Sequence, residues 1–206
     1  MRKTNVLLRV CVILVLCIAF IGCGCGEDTE EKYRKADKNT LFIASDLTVV
    51  CTIIDSLDKE YYDAEELRTF IDSEIQKYNY SILTEAVSLI DLSVNETAGV
   101  RLILKYGSAG HYTAFNQEML FIGTIAEAME AGYDFDTPFY KYDSLDEVAL
   151  ADAVYNVSDY VVIMEPTTDM VINVPEKIKF IGADVEKIDK ATAQVKENCR
   201  SYIIYE

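Results

Sequence analysis

His111 is the only histidine in the chain, which at once excludes a metal site built on two or more imidazoles. A lone histidine can still serve as a general base, and Gly110-His111-Tyr112-Thr113 reads as a polar loop. Ser108 and Thr113 lie close by, yet no G-x-S-x-G turn presents either hydroxyl. His111 is therefore read as a hydrogen-bonded or solvated loop residue. Carboxylates are the second candidate. Asp55, Asp58, Glu60 and Asp63 precede an amphipathic segment, and Asp134, Asp136 and Asp143 cluster around Pro138. Paired carboxylates hydrolyse glycosidic bonds when their separation in space is right. Neither run has the central glycine and terminal glutamate of a calcium loop, and acids at a helix start are expected on dipole grounds alone. Aromatic residues are the third candidate, with fourteen tyrosines and no tryptophan. The run Phe135 to Tyr142 (FDTPFYKY) reads as an exposed aromatic loop, so Phe139, Tyr140 and Tyr142 are the candidate ligand-binding residues. No phosphate loop or dinucleotide fingerprint is present, and no cofactor, metal or catalytic residue is assigned.

The start of the chain speaks to location instead. Arg2, Lys3 and Arg9 supply a basic region, Val10 to Ile21 (VCVILVLCIAFI) an apolar one, and Gly22 a small residue before Cys23. That order is the pattern of a secretory signal. The twelve-residue run is short of the roughly 20 residues a membrane-spanning helix needs, which leaves a retained span as the lesser reading. Phe20-Ile21-Gly22-Cys23 resembles the lipobox of bacterial lipoproteins at the small residue and the cysteine, with Phe20 standing where that class usually has leucine. Cys25 is a competing site. The resemblance implies removal of residues 1–22, a diacylglyceryl thioether on Cys23 (with palmitate among its acyl chains), and a place on the outer face of the cytoplasmic membrane, in the bacterial cell envelope. In general layout the chain also resembles small exported lipoproteins of Gram-positive anaerobes, which again implies the cell surface and nothing about chemistry.

Charge agrees with an anchor. The net charge is −16 and becomes −19 once the three basic leader residues leave. So acidic a surface argues against nucleic acid as a partner and against adhesion to anionic lipid, whereas two or more acyl chains hold firmly. The expected partners are the membrane, through the lipid, and an envelope protein or small ligand. Of the cysteines, only Cys51 and Cys199 fall in the folded part. Both are placed in strands and read as buried free thiols, a disulfide being the alternative in an exported protein. No Cys/His spacing suggests zinc.

These residues have to be positioned by the rest of the chain. Residues 23–40 are polar with no apolar period and read as a flexible tether; residues 41–206 read as a single domain. Leu47 to Ile54 is β-branched and strand-like. Asp63 and Glu66 open a capped helix whose Leu67, Phe70, Ile71, Ile75 and Tyr78 share one face. Ala86 to Val94 and Val100 to Tyr106 form a hairpin across a glycine-containing link. Thr124, Glu127 and Gly132 bracket a second helix, and Ser144 with Glu147 predicts a third over Leu145 to Val154. Tyr160 to Met164, Met170 to Val174, Lys177 to Ile181, Val185 to Ile188 and Ser201 to Tyr205 complete the strands. The irregular order of strands and helices predicts an α+β fold: a mixed, mostly antiparallel sheet with two or three short helices. The leading expectation is a non-enzymatic binding module. The alternatives are a cell-surface hydrolase using carboxylates or His111 and a solute receptor, the latter disfavoured because so short a chain leaves little room for two lobes.

Overall fold

The computed structural model describes residues 27–56, 64–95 and 99–206. The expected leader, Cys23, Cys25, Asp58, Glu60 and Asp63 lie outside the described residues. The chain divides into two compact units, Met1–Glu31 and Lys32–Glu206. Of the first, the opening of helix α1 (Glu27–Lys35) is described; the second holds every described strand.

The stretch expected to be an unstructured tether is thus helical in part, and from Tyr33 onward it is hydrogen-bonded into the domain. A helix leaves its last carbonyls unpaired. Here the Thr52 hydroxyl donates to the Tyr33 carbonyl at 2.9 Å, and the Arg101 guanidinium donates to the carbonyls of Arg34 and, at 2.9 Å, Ala36. Asn39 then accepts from the Ile54 N–H at 2.8 Å. Strands β2 and β4 supply these partners, which a local reading could not detect.

Thirteen strands among the described residues form two sheets. The first holds β1 (Thr40–Ile43), β2 (Val49–Ser56), β3 (Val87–Val94), β4 (Gly99–Tyr106), β9 (Met170–Asn173), β11 (Val185–Asp189) and β12 (Thr192–Val195), in the order β11-β12-β9-β1-β2-β4-β3. The second holds β5 (Met119–Thr124), β6 (Phe139–Lys141), β7 (Ser144–Val148), β8 (Tyr160–Glu165), β10 (Ile178–Gly182) and β13 (Ser201–Tyr205), in the order β5-β8-β13-β10-β6-β7. Every pairing is antiparallel except β1 with β9. The fold is α+β and mostly antiparallel, but it has two sheets rather than one. Among the described residues five helices accompany them: α1, α2 (Ala64–Ile82), α3 (Ala109–Asn116), α4 (Ile125–Glu130) and α5 (Ala151–Val154). With nineteen residues, α2 is not short.

Strand alternation sorts the side chains into two cores. Val162 and Met164 of β8 join Ile203 and Tyr205 of β13 in the larger cluster, where they meet Leu41, Ile172 and Ala193 of the first sheet. The two sheets therefore face each other across this core. Val161, Ile163, Tyr202 and Ile204 point the other way, into a smaller cluster closed by Ile125 and Ala128 of α4 and Val154 of α5. The larger core also takes Ile71 and Ile75 of α2 and Ala109 and Tyr112 of α3. At the β2-β4-β3 end of the first sheet, helices α2 and α3 provide the covering layer.

The capping box on α4 forms as the sequence predicts. The Thr124 side chain accepts from the Glu127 N–H, the Glu127 carboxylate accepts from the Thr124 N–H, and Gly132 adopts φ +87°. The similar Ser144/Glu147 pattern does not start a helix. Residues Ser144–Val148 are strand β7, and Glu147 instead pairs across the hairpin with Lys141 at 2.5 Å. A single turn, α5, follows. The pattern is local, and strand β6, absent from the sequence reading, provides a competing partner. Gly110 to Thr113, expected as a loop, lies within α3, which is capped by the Ser108 hydroxyl.

Candidate functional site

Along α2, Phe70, Glu74, Lys77 and Ser81 recur every three or four residues and so line one side of the helix. Opposite them stand Phe115 and Asn116 at the end of α3; Ile53 of β2 and Leu102 and Leu104 of β4 form the floor. Together these residues enclose a groove of about 490 Å³, within the ~300–1,000 Å³ usual for small-molecule sites. It exists because α2 seats Ile71 and Ile75 in the core while its next stripe overhangs the sheet. Phe70 is accordingly 63 % exposed. The expected apolar face of α2 is real, but part of it borders the groove rather than the core.

Several polar groups in these walls are hydrogen-bonded within the protein. Asn116 Oδ1 accepts from the Tyr106 hydroxyl at 3.3 Å, and its Nδ2 donates to the Tyr112 carbonyl at 3.0 Å. The Ser81 hydroxyl donates to the Tyr78 carbonyl at 2.7 Å, and Lys77 sits 3.6 Å from Glu74. The Tyr78 hydroxyl meets His111 Nδ1 at 3.0 Å, with the two rings edge to face. His111 lies in the first turn of α3, not in a loop, and steadies a groove wall.

Neither nearby hydroxyl is held as a nucleophile. Ser108 Oγ accepts from the His111 backbone N–H at 3.3 Å as the cap of α3. Thr113 Oγ1 donates to the Leu120 carbonyl and accepts from its N–H. Cys51 is buried, and burial, with the charge of Glu118 adding to it, pushes its thiol up to about 12. A thiol so protonated is inert. Cys199 is also free, but it is half-buried in the loop before β13 rather than in a strand.

Phe139, Tyr140 and Tyr142 do not form an exposed loop. Phe139 lies in β6 with only 4 % of its surface exposed, against Phe135 and Tyr202 in the smaller core. Tyr140, its neighbour in the strand, points to the opposite face and packs on the larger core. Tyr142 is buried in that larger core. Its hydroxyl donates to the Thr192 carbonyl at 2.5 Å and accepts from the Ile188 N–H at 3.3 Å, so it ties the two sheets together. Lys187 lies 4.8 Å over its ring. The aromatic density reflects a strand whose two faces meet the two cores; Pro138 sits just before it, where a strand tolerates proline.

Of the acidic residues, Asp143 pairs with Lys177 at 2.7 Å, and that ammonium holds its carboxyl below the usual range. Among the described residues no three His, Cys, Asp or Glu side chains converge as metal ligands would. One buried carboxylate carries no signal in the sequence. Glu118 accepts from the Thr167 N–H at 2.6 Å and hydroxyl at 2.9 Å through Oε1, and from the Tyr112 hydroxyl through Oε2. Its place between α3 and β5 gives it no motif, and its acceptor role depends on a residue far along the chain.

Fold and groove define the class: an α+β protein of two facing sheets with a narrow apolar groove beside its longest described helix. No family model matches the chain, and no curated protein or solved structure matches it.

Proposed function

We propose that the protein is a cell-envelope lipoprotein, held on the outer face of the cytoplasmic membrane by diacylglycerol on Cys23, whose domain is a non-enzymatic binding module. The groove between α2 and α3 carries the binding half of this reading, because its floor is hydrocarbon and the Ser81 hydroxyl and Asn116 amide in its walls are bonded within the protein. An apolar cleft of this kind binds by shape and burial and offers no activated group to a substrate. The leader carries the other half, and the strongly acidic chain supports attachment through lipid rather than through its own surface.

Two measurements test the two halves. Expressed in a bacterium with a lipoprotein pathway and fed labelled palmitate, the full chain takes up label and sediments with membranes. Cys23→Ser loses both label and sedimentation, whereas Cys25→Ser keeps them. Label retained in Cys23→Ser overturns the assignment of the anchor. For the groove, 1-aminoanthracene, a neutral fluorescent ring system, binds the full chain saturably. Ala114→Trp, placed on the exposed surface of α3 where it lines the groove, lowers that affinity at least tenfold while the circular dichroism is unchanged. Equal binding to both proteins removes the groove as the site.

A further inference from the structure

The first sheet carries the last turn of α1 on one face and the groove on the other. Side chains alternate across a strand. The register of β2 with β4 sets Ile53 beside Leu102 and Cys51 beside Leu104, on the face that floors the groove and meets the larger core. Thr52 beside Ile103 and Ile54 beside Arg101 fall on the opposite face, as does Phe42, because its neighbour Leu41 pairs with Cys51. There the end of α1 is fastened. Thr52 donates to the Tyr33 carbonyl, Arg101 donates to the carbonyls of Arg34 and Ala36, and the Tyr33 ring stands edge-to-face on Phe42 at 6.1 Å. Phe42, Thr52 and Ile103 are all buried on this face.

The chain between that fastening and Cys23 is short. Tyr33 is ten residues on from Cys23, and its last six steps run along α1 (Glu27–Lys35). Four residues span at most about 14 Å when fully extended, and six helical ones add about 9 Å. The Cys23 Cα therefore stays within about 23 Å of Tyr33. From α1 through the sheet to the open side of α2 is about 30 Å, at roughly 10 Å for each helix and for the sheet between them. The chain has to pass round the sheet, not through it, so the path is longer still. So short a link cannot turn the mouth of the groove toward the point of attachment.

We propose, resting on the lipid-anchor reading above, that the α1-bearing face of the first sheet lies against the phospholipid head groups and that the groove opens away from the bilayer. The tether and the strand alternation together select the face. Whatever enters the groove then comes from outside the cell and not from the membrane beneath.

The chain has no tryptophan, so a single introduced one reports its own position. The lipidated full chain is placed in phosphatidylcholine vesicles, a fraction of whose head groups carry a nitroxide quencher; the neutral lipid neither attracts nor repels the acidic domain. Lys38→Trp and Lys105→Trp, at exposed positions on the α1 side, lose most of their emission. Phe70→Trp and Ala114→Trp, exposed at the groove, keep theirs. Circular dichroism shows that each variant is folded, and flotation with the vesicles reads the anchor separately. A wild-type chain that does not float removes the anchor, and this orientation with it. If the chain floats but quenching is greatest at Phe70 and Ala114, equal at all four positions or absent from all four, the anchor stands and the orientation is overturned.

Discussion

Raised above a pH of about 10, the protein unfolds in one cooperative step. The cause is a set of buried acids that the fold keeps protonated. Burial pushes the Cys51 thiol from 9.0 up to about 12 and the Tyr142 phenol from 10.0 to about 12. Tyr106, Tyr112, Tyr202 and Tyr205 are raised for the same first reason. In the unfolded chain these groups ionise near their ordinary values, so between the ordinary and the raised pKa the native state binds more protons. The associated stability is complete below the ordinary values and is lost as pH climbs through the raised ones. Each such group removes about 1.4 kcal/mol per pH unit. Two of them over two units remove about 6 kcal/mol, comparable with the whole ~5–15 kcal/mol that holds an ordinary domain together. Circular dichroism and tyrosinate absorbance, followed together, check this. With no tryptophan in the chain, the tyrosine signal is unobscured. A late block of tyrosine ionisation should coincide with loss of ellipticity. Graded ionisation with the fold intact beyond a pH of about 12 contradicts the account. Tyr205→Phe offers a control: its hydroxyl is buried with no hydrogen-bond partner among the described residues, so the substitution removes a titrating group without breaking a hydrogen bond and moves the transition to higher pH.

The same tyrosines show what the sequence could and could not disclose. Ser201–Tyr205 is read from sequence with the bounds the structure has, because all five residues are buried and form an unbroken strand-like run. The β3–β4 hairpin and the α4 capping box are equally legible, since each is closed by residues a few positions apart. The division into two sheets is not legible. It rests on contacts such as β1 beside β9, where Leu41 pairs with Ile172, and on the passage from β8 to β9, which crosses from one sheet to the other. Strand β12, Thr-Ala-Gln-Val, is too mildly apolar to stand out, yet pairing between β9 and β11 makes it interior. For the candidate site, periodicity identified the apolar stripe on α2 but not its split between core and groove. That split depends on how far α3 stands off β4. Phe139 and Tyr142 went astray for the complementary reason: aromatic side chains suit binding surfaces and cores alike, and only the second sheet decides between them.

Glu118→Ala is expected to cost about 1–3 kcal/mol, the range for leaving a buried donor without its acceptor. The carboxylate is among the few buried charged groups of the domain, with 9 % of its surface exposed. It receives the Tyr112 hydroxyl from α3 on one oxygen and the Thr167 N–H and hydroxyl on the other. Thr167 belongs to the connection between β8 and β9, where the chain passes from the second sheet to the first. One side chain therefore fixes that passage to the helix that walls the groove. Removing it strands the Tyr112 hydroxyl in the core, where Tyr112 also packs edge-to-face on Tyr106 at 5.1 Å. Tyr106 in turn holds Asn116, so the disturbance reaches the groove by a traceable route. Glu118→Gln should cost less than half as much, because its carbonyl can keep the Thr167 bonds while its amide donates to the Tyr112 oxygen. Urea unfolding of the two variants measures the difference, and 1-aminoanthracene titration below the transition reads its reach. Equal losses for Ala and Gln would mean that the charge itself matters. No loss in either would mean that water replaces the carboxylate and that the sheet crossing is held elsewhere. If the coupling is as drawn, Glu118→Ala also weakens binding in the groove although Glu118 does not line it, and Glu118→Gln leaves binding nearly unchanged.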